Sequence, residues 1–337
     1  MKKLILLLIL VYILGFSYFK LTLSNNSSNE VNIYSTRKEK FLNDLIAEFQ
    51  RDTGINVNIL SDKAPKLIAK LRQEGGRSPA DILITSDVIN MQNAKFLGLL
   101  AKYKDDNLVS LVPADYRDRD FYWLGISVRK RLIFVHKNYP HLEQIKEYKD
   151  LANPVHNDAL LVRSSSNPYN QALIAQFILH YGPEKTQQIL NGITSNFARE
   201  PHGGDTDQLR ALAQGEGQIA LANNYYYERL KRSEDKIIQQ FVKNIKVIYP
   251  NQDSYGININ LSAIALLKNS KNKVAAKQFI NFMLSKKAQD YFIGKNYEES
   301  VNFSPTIYRY KKDSVNVQNY HKHALQALEF ADQAGWK

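Results

Sequence analysis

The chain has 337 residues and no cysteine, with 44% hydrophobic residues, 23% charged residues and a formal net charge of +12. This composition is typical of globular proteins, and the length is sufficient for two lobes with a buried core, whereas the lack of cysteine excludes disulfides, iron–sulfur ligation, thiol catalysis and a lipid-modified amino-terminal cysteine. Because the basic residues are scattered and no nucleic-acid-binding motif is present, the charge predicts a solvated basic surface and no nucleic-acid partner.

The amino terminus has the pattern of an export signal. Residues 1–3 are Met-Lys-Lys, and an apolar run from Leu4 to Phe19 follows them. The run is shorter than the ~20 residues that a membrane-spanning helix usually needs, and no clear small-residue cleavage site follows it. Residues 1–24 therefore predict either a cleaved signal peptide or a retained amino-terminal anchor, and the polar residues 25–30 predict a tether.

Segments typical of strands and helices alternate through the rest of the chain. We predict strands at residues 31–34, 55–60, 81–85, 132–135, 160–163, 218–222, 245–248 and 264–267. Helices are predicted between them, and the first two end at Gly54 and Gly75. The alternation predicts an α/β fold of two lobes with mostly parallel sheets, in which sites lie beyond the carboxyl ends of the strands. We expect the chain to leave the first lobe near Ser127 and to return near Gly256.

One polar segment, residues 163–171, follows a predicted strand and leads into a predicted helix. It contains Ser164, Ser165 and Ser166, followed by an Asn-Pro-Tyr sequence that ends at Tyr169. Ser and Asn side chains in this position commonly cap the first turn of a helix. The same helix start could instead attract an anion and present Tyr169 to the crevice.

Three consecutive tyrosines, Tyr225, Tyr226 and Tyr227, follow another predicted strand. A phenol has a pKa near ~10, but a bound trivalent cation favours the phenolate, which is a hard oxygen ligand suited to ferric iron. Adjacent tyrosines also occur through ordinary packing, so the run alone leaves both interpretations open. If a helix begins near Asn224, Tyr225 and Tyr226 lie closest to its irregular first turn, and Tyr227 is predicted to pack.

The third segment of interest is residues 199–208, in which Asp205 and Gln208 have the spacing of a capping box. His202 in the same segment is predicted to be an exposed loop residue. The sequence contains no metalloprotease, nucleophile-elbow, phosphate-loop or dinucleotide-binding motif. We therefore predict that the chain is not an enzyme.

At these segments the chain resembles the periplasmic ferric-iron-binding proteins of ABC uptake systems, which belong to the transferrin-like superfamily and have the type II periplasmic binding protein fold. The similarity extends from Val31 to about Val301. Its most specific parts are residues 34–37, 78–81, 163–171, 196–199, 204–206, 221–226 and 249–252. The resemblance implies two lobes with the ligand cleft between them, and three tyrosinate ligands at Tyr169, Tyr225 and Tyr226.

The chain departs from that family just after the first strand. A His-Tyr pair typically supplies ligands there, whereas this chain has Lys38 and Glu39. Glu39 is a candidate carboxylate ligand. Water, carbonate or another small anion could also complete the coordination. An anion would be held by the turn of residues 164–166 and by a nearby Arg or Lys such as Lys38.

The resemblance also implies a division into lobes and a role. The first lobe is expected to comprise residues 31–126 and 256–300, and the second residues 127–255 and 301–337. The expected protein is a periplasmic monomer, free or tethered to the inner membrane, that captures Fe(III) and delivers it to an ABC permease and its ATPase. The alternative is that the same fold binds a small anion or a chelated metal.

Overall fold

The structure, a computed structural model, describes residues 29–302 and 310–337. The predicted signal peptide or anchor, residues 1–24, lies outside the described residues. Among the residues that are described, no helix combines the length and the apolar character that crossing a membrane requires.

Eight strands in the described part of the chain form two sheets that share one strand. They are β1 Glu30–Ser35, β2 Asn56–Ser61, β3 Ile82–Thr85, β4 Leu124–His136, β5 Leu160–Leu161, β6 Ile219–Asn223, β7 Ile245–Ile248 and β8 Ile259–Leu266. The first sheet has the order β2-β1-β3-β8-β4, and in the second sheet β4 lies between β7 and β6, with β5 beyond β6. Residues 124–130 of β4 pair with β8, whereas residues 131–136 pair with β6 and β7. The long strand β4 therefore joins the two halves of the molecule.

The helices of the described residues lie between these strands and at the carboxyl terminus. They are α1 Asn43–Thr53, α2 Ala64–Glu74, α3 Val88–Phe96, α4 Asp106–Leu111, α5 Pro168–Ser195, α6 Asp205–Gln214, α7 Asn224–Lys231, α8 Lys236–Lys243, α9 Lys273–Met283, α10 Lys286–Gly294 and α11 Ala324–Gln333. As predicted, α1 ends at Gly54, which adopts the left-handed conformation with φ 70°. Helix α5 is interrupted at Gly182, where φ is 75°, just before Pro183.

The prediction of mostly parallel sheets is wrong. Parallel pairing occurs between β1 and β2, β1 and β3, and β5 and β6, but β4 and β8 pair antiparallel with all of their neighbours. These two strands are also longer than predicted, because only residues 132–135 and 264–267 show a plain apolar pattern. The basic residues 129–131 lie in the middle of β4 and interrupt its apolar pattern, so the sequence alone does not reveal the full buried strand.

In the described residues, two hydrophobic clusters form the core. One extends from the first sheet onto one face of the second sheet, and the other covers the opposite face of the second sheet. The carboxyl-terminal segment contacts both halves, since α11 packs on α5 and residues 317–323 pack on α3. Trp336 anchors its end: the indole ring lies 5.5 Å from that of Phe197, and Nε1 donates a hydrogen bond of 2.8 Å to the carbonyl of Arg163. The expected division at residues 126, 256 and 301 stays a proposal.

Candidate metal centre

A cavity of about 510 Å3 lies between elements of the two sheets. One wall follows β1 and β3 in the chain, and the other is formed by the first turns of α5, α6 and α7. The residues that line it include Lys38, Phe41, Arg129, Tyr169, Tyr225, Tyr226, Arg229 and Glu298. The three tyrosines predicted as ligands therefore face one cavity.

Tyr225 and Tyr226 lie on the first turn of α7, which begins directly after β6. Their ring centroids are 4.1 Å apart, and Tyr225 is buried. Tyr227 does not line this cavity; its ring packs 5.1 Å from that of Phe134, and its hydroxyl donates to the carbonyl of Val242 at 3.4 Å. The prediction that Tyr227 packs is confirmed.

Tyr169 reaches the same cavity from the first turn of α5. Asn167 caps this helix by accepting a hydrogen bond from the backbone N–H of Tyr169 at 3.0 Å. Arg129 donates from Nη1 to the hydroxyl oxygen of Tyr169 at 2.9 Å. A cation from β4 thus holds the Tyr169 oxygen at the cavity.

Burial governs the protonation of the two adjacent tyrosines. It raises the pKa of Tyr226 to about 12 and that of Tyr225 well above the usual 10, and the nearby Tyr169 adds to both effects. Both side chains are therefore neutral phenols at pH 7 in the metal-free protein. A trivalent cation would displace these protons and gain hard anionic oxygen ligands, so the donor set fits ferric iron.

The cavity is strongly cationic. Among the described residues, Glu298 is the one carboxylate that lines it. Six basic side chains of the described residues line it: Arg37, Lys38, Lys40, Arg129, Arg210 and Arg229. Glu298 is buried and accepts from Arg37 at 2.9 and 3.0 Å and from Arg129 at 3.3 Å. Although burial opposes ionisation, the two guanidinium groups lower the pKa of Glu298 to about 2. Glu298 is therefore already neutralised, and the remaining cations attract an anion.

The residues after β1 are divided between the cavity and the surface. Lys38 lines the cavity, whereas Glu39 begins a short 3-10 helix, Glu39–Phe41, is exposed and is not among the lining residues. Elsewhere in residues 29–302 and 310–337, no group of three or more His, Cys, Asp or Glu side chains is arranged to hold a metal ion. The structure therefore does not bring Glu39 to the tyrosines.

The serine turn after β5 also lies outside the lining. The Ser164 and Ser166 hydroxyls hydrogen-bond each other at 2.8 Å, and the backbone N–H of Ser166 donates to the Ser164 hydroxyl at 3.2 Å. Ser165 is buried. The structure thus shows a local turn at this segment, and an anion site formed by Ser164, Ser165 and Ser166 stays a prediction.

The predicted capping box of Asp205 with Gln208 is wrong. The side chain of Asp207 accepts from the backbone N–H of Gly204 at 2.7 Å and so caps α6. Asp205 is buried instead and binds Arg131 at 2.7 Å. The Asp205 carboxylate therefore balances the charge of a buried arginine of β4. The spacing of residues near Asp205 does not reveal this pairing.

Comparison with known proteins identifies the family of this chain. A family model described as bacterial extracellular solute-binding protein matches residues 31–297. The chain belongs to this family. Because members of this solute-binding family bind ligands rather than transform them, the prediction that the chain is not an enzyme is confirmed.

Individual relatives and solved structures are similar to this chain over most of their length. Iron uptake protein A1 of Synechocystis sp. is 36% identical over 315 residues, which cover 91% of this chain and 88% of that protein. The ferric binding protein from Campylobacter jejuni is 36% identical with a TM-score of 0.86, and covers 91% of this chain and 100% of its own. The Trichodesmium protein (IdiA, FutA) in complex with iron and citrate ligands is 35% identical with a TM-score of 0.85 and the same coverage. The fold is the predicted two-lobed type II periplasmic binding protein fold.

Sequence reasoning missed the buried charges of the cavity, chiefly Arg129 and Glu298. The signal that could have found them is the run of three basic residues in β4. Each of the three pairs with a carboxylate: Arg129 with Glu298, Lys130 with Glu299, and Arg131 with Asp205. Buried cations need carboxylate partners. A run of three basic residues in a buried strand therefore indicates that carboxylates from other parts of the chain meet it there.

Proposed function

We propose that this protein captures Fe(III) through Tyr169, Tyr225 and Tyr226 and delivers it for uptake. The observation that carries the proposal is the convergence of these three side chains, from two different helix starts, on one cavity between the lobes. Three tyrosinates balance the charge of Fe(III). The names of the similar proteins, which include iron uptake and ferric binding proteins, support the same cargo.

An anionic co-ligand is part of the proposal. With Fe(III) balanced by three tyrosinates, six basic side chains still face one carboxylate in the cavity. Carbonate or another small anion would complete the coordination and reduce this excess of positive charge, with Lys38 beside it. The binding of iron together with citrate by the similar Trichodesmium protein supports a co-ligand of this kind.

The second candidate is the binding of a small anion or a chelated metal instead of bare Fe(III). The cationic lining and the volume of about 510 Å3 favour it, because this space exceeds that needed for one ion and a carbonate. It predicts that an anion alone raises the melting temperature as much as iron does. Thermal unfolding with citrate and without iron distinguishes the two candidates.

We further propose that the protein acts in the periplasm and passes its cargo to an inner-membrane ABC permease and its ATPase, as a monomer. Residues 1–24 would direct export, either as a cleaved signal peptide or as an anchor that tethers the protein to the inner membrane. An intact-mass measurement on the exported protein separates these two forms by the mass of the segment.

The test of iron capture is the metal content of paired tyrosine variants. Metal-stripped protein is incubated with ferric citrate and desalted, and the iron per chain is measured. We expect one iron for the wild type and for Tyr227→Phe, and almost none for the double variant Tyr225→Phe with Tyr226→Phe, because it loses two anionic ligands. Stoichiometric iron in the double variant would overturn the assignment.

A further inference from the structure

Arg229 lies between one aromatic ring from each wall of the cavity. It is on α7, and its guanidinium carbon lies 4.8 Å from the ring centroid of Tyr225 on the same helix. The same carbon lies 4.2 Å from the ring centroid of Phe41, which belongs to the opposite wall. Phe41 ends the short helix that follows β1. The three side chains form a stack, Phe41–Arg229–Tyr225, that crosses the cleft.

Hydrogen bonds through Asn296 also link Arg229 to Phe41. Arg229 donates from Nη2 to the carbonyl of Asn296 at 3.5 Å, and the side chain of Asn296 donates to the carbonyl of Phe41 at 3.2 Å. The guanidinium thus contacts two aromatic rings and a backbone carbonyl. An arginine that is partly removed from water in this arrangement gains more from its aromatic neighbours than an exposed one.

Among the described residues, the wall that carries Phe41 offers few oxygen ligands for a metal ion. Glu39 is exposed outside the cavity, and Glu298 is neutralised by Arg37 and Arg129. The candidate oxygen ligands all belong to the opposite wall, on α5 and α7. Closure of this wall over the cargo therefore requires a contact other than metal coordination.

We propose that Phe41 and Arg229 are positioning residues that retain the cargo. Their stack holds the wall that carries Phe41 against Tyr225, since the described part of that wall contributes no metal ligand of its own. The proposal rests on the proposed function. Phe41 would therefore affect the rate of iron release without being a ligand of the iron. Loss of the aromatic face would open the cleft more often and leave the tyrosines unchanged.

The test measures iron release from loaded protein. Wild type, Phe41→Leu, Phe41→Trp and Arg229→Lys are loaded with one equivalent of Fe(III) and mixed with excess competing chelator, and the loss of the visible tyrosinate–iron band is followed. We expect about tenfold faster release from Phe41→Leu, equivalent to ~1.4 kcal/mol, with the band maximum unchanged. Phe41→Trp should release iron as the wild type does, whereas Arg229→Lys, which keeps the charge but lacks the planar group, should also release it faster.

The matched control is Phe96→Leu, the same substitution at a phenylalanine that is 82% exposed and outside the cavity, which should not alter release. Unchanged release from both Phe41→Leu and Arg229→Lys would overturn the inference and leave iron binding in place. A shifted band maximum in Phe41→Leu would also overturn it, because Phe41 would then act on the ligands. Absence of any band in the wild type would instead refute the proposed function itself.

Discussion

A single buried carboxylate, Glu298, organises the charges at the floor of the cavity. It accepts hydrogen bonds from Arg37 and Arg129, and Arg129 in turn holds the hydroxyl of Tyr169. Removal of the negative charge would leave two buried guanidinium groups without a counter-charge, which is costly in a low-dielectric interior. The position of a candidate iron ligand thus depends on a residue that itself binds no metal.

The first prediction concerns the stability of Glu298→Gln. The pKa of Glu298 is about 2 in the folded protein, below its ordinary 4.5. A lowered pKa means that ionised Glu298 stabilises the fold above about pH 4.5, and that this contribution is lost as the pH falls towards 2. We expect the variant to lose on the order of 3 kcal/mol at pH 7. The difference from the wild type should shrink in urea unfolding at low pH.

The control for this prediction is Glu216→Gln. Glu216 pairs with Arg199 at 3.1 Å, but its side chain is 45% exposed, and exposed ion pairs contribute about 0–1 kcal/mol. An equal loss of stability in the two variants at pH 7 would contradict the account of the buried cluster.

At the scale of secondary structure elements, the return of the chain into β8 requires a glycine. Gly256 has φ 93°, and a Cβ atom there would lie 2.6 Å from the carbonyl carbon of Lys312. The next residue, Ile257, hydrogen-bonds with Lys311 and Asp313. The carboxyl-terminal segment therefore passes too close to this backbone for any side chain.

Gly256→Ala should therefore destabilise the protein, by ~2–3 kcal/mol from backbone strain and steric clash together. Gly294→Ala is the matched control, since Gly294 has no atom within 4 Å of an added Cβ and no positive φ. The measurement is the midpoint of thermal unfolding of each variant, compared with that of the wild type. Equal midpoints would mean that the Lys312 segment moves away freely, contrary to this account.

The sequence predicts those elements and site residues whose pattern lies in neighbouring residues. It does not predict those that depend on contacts between distant residues. The strand at residues 245–248 has the predicted bounds, because its apolar pattern is visible in four neighbouring residues. That Tyr169, Tyr225 and Tyr226 face one cavity could be predicted because they follow the ends of strands, whereas their role as ligands is implied by the resemblance and stays a proposal. Glu298 could not, since its partner Arg129 is 169 residues away in the chain and no periodic pattern links residues at that distance.

At the scale of the whole molecule, β4 unites the two lobes and carries charges to the cleft. Its first part belongs to one sheet and its second part to the other, and Arg129 lies next to the change. The cleft is therefore positively charged in a chain whose net charge is +12. The proposed anionic co-ligand would offset part of this positive charge.

The measurement that tests the central claim most directly is a visible absorption titration of the metal-stripped protein with a chelated Fe(III) donor, with and without bicarbonate. Ligation by Tyr169, Tyr225 and Tyr226 predicts a broad band in the blue-green that saturates at one equivalent of iron, and an anionic co-ligand predicts that bicarbonate strengthens it. A protein that remains colourless throughout, with either addition, would contradict the assignment of the cavity as a tyrosinate iron site.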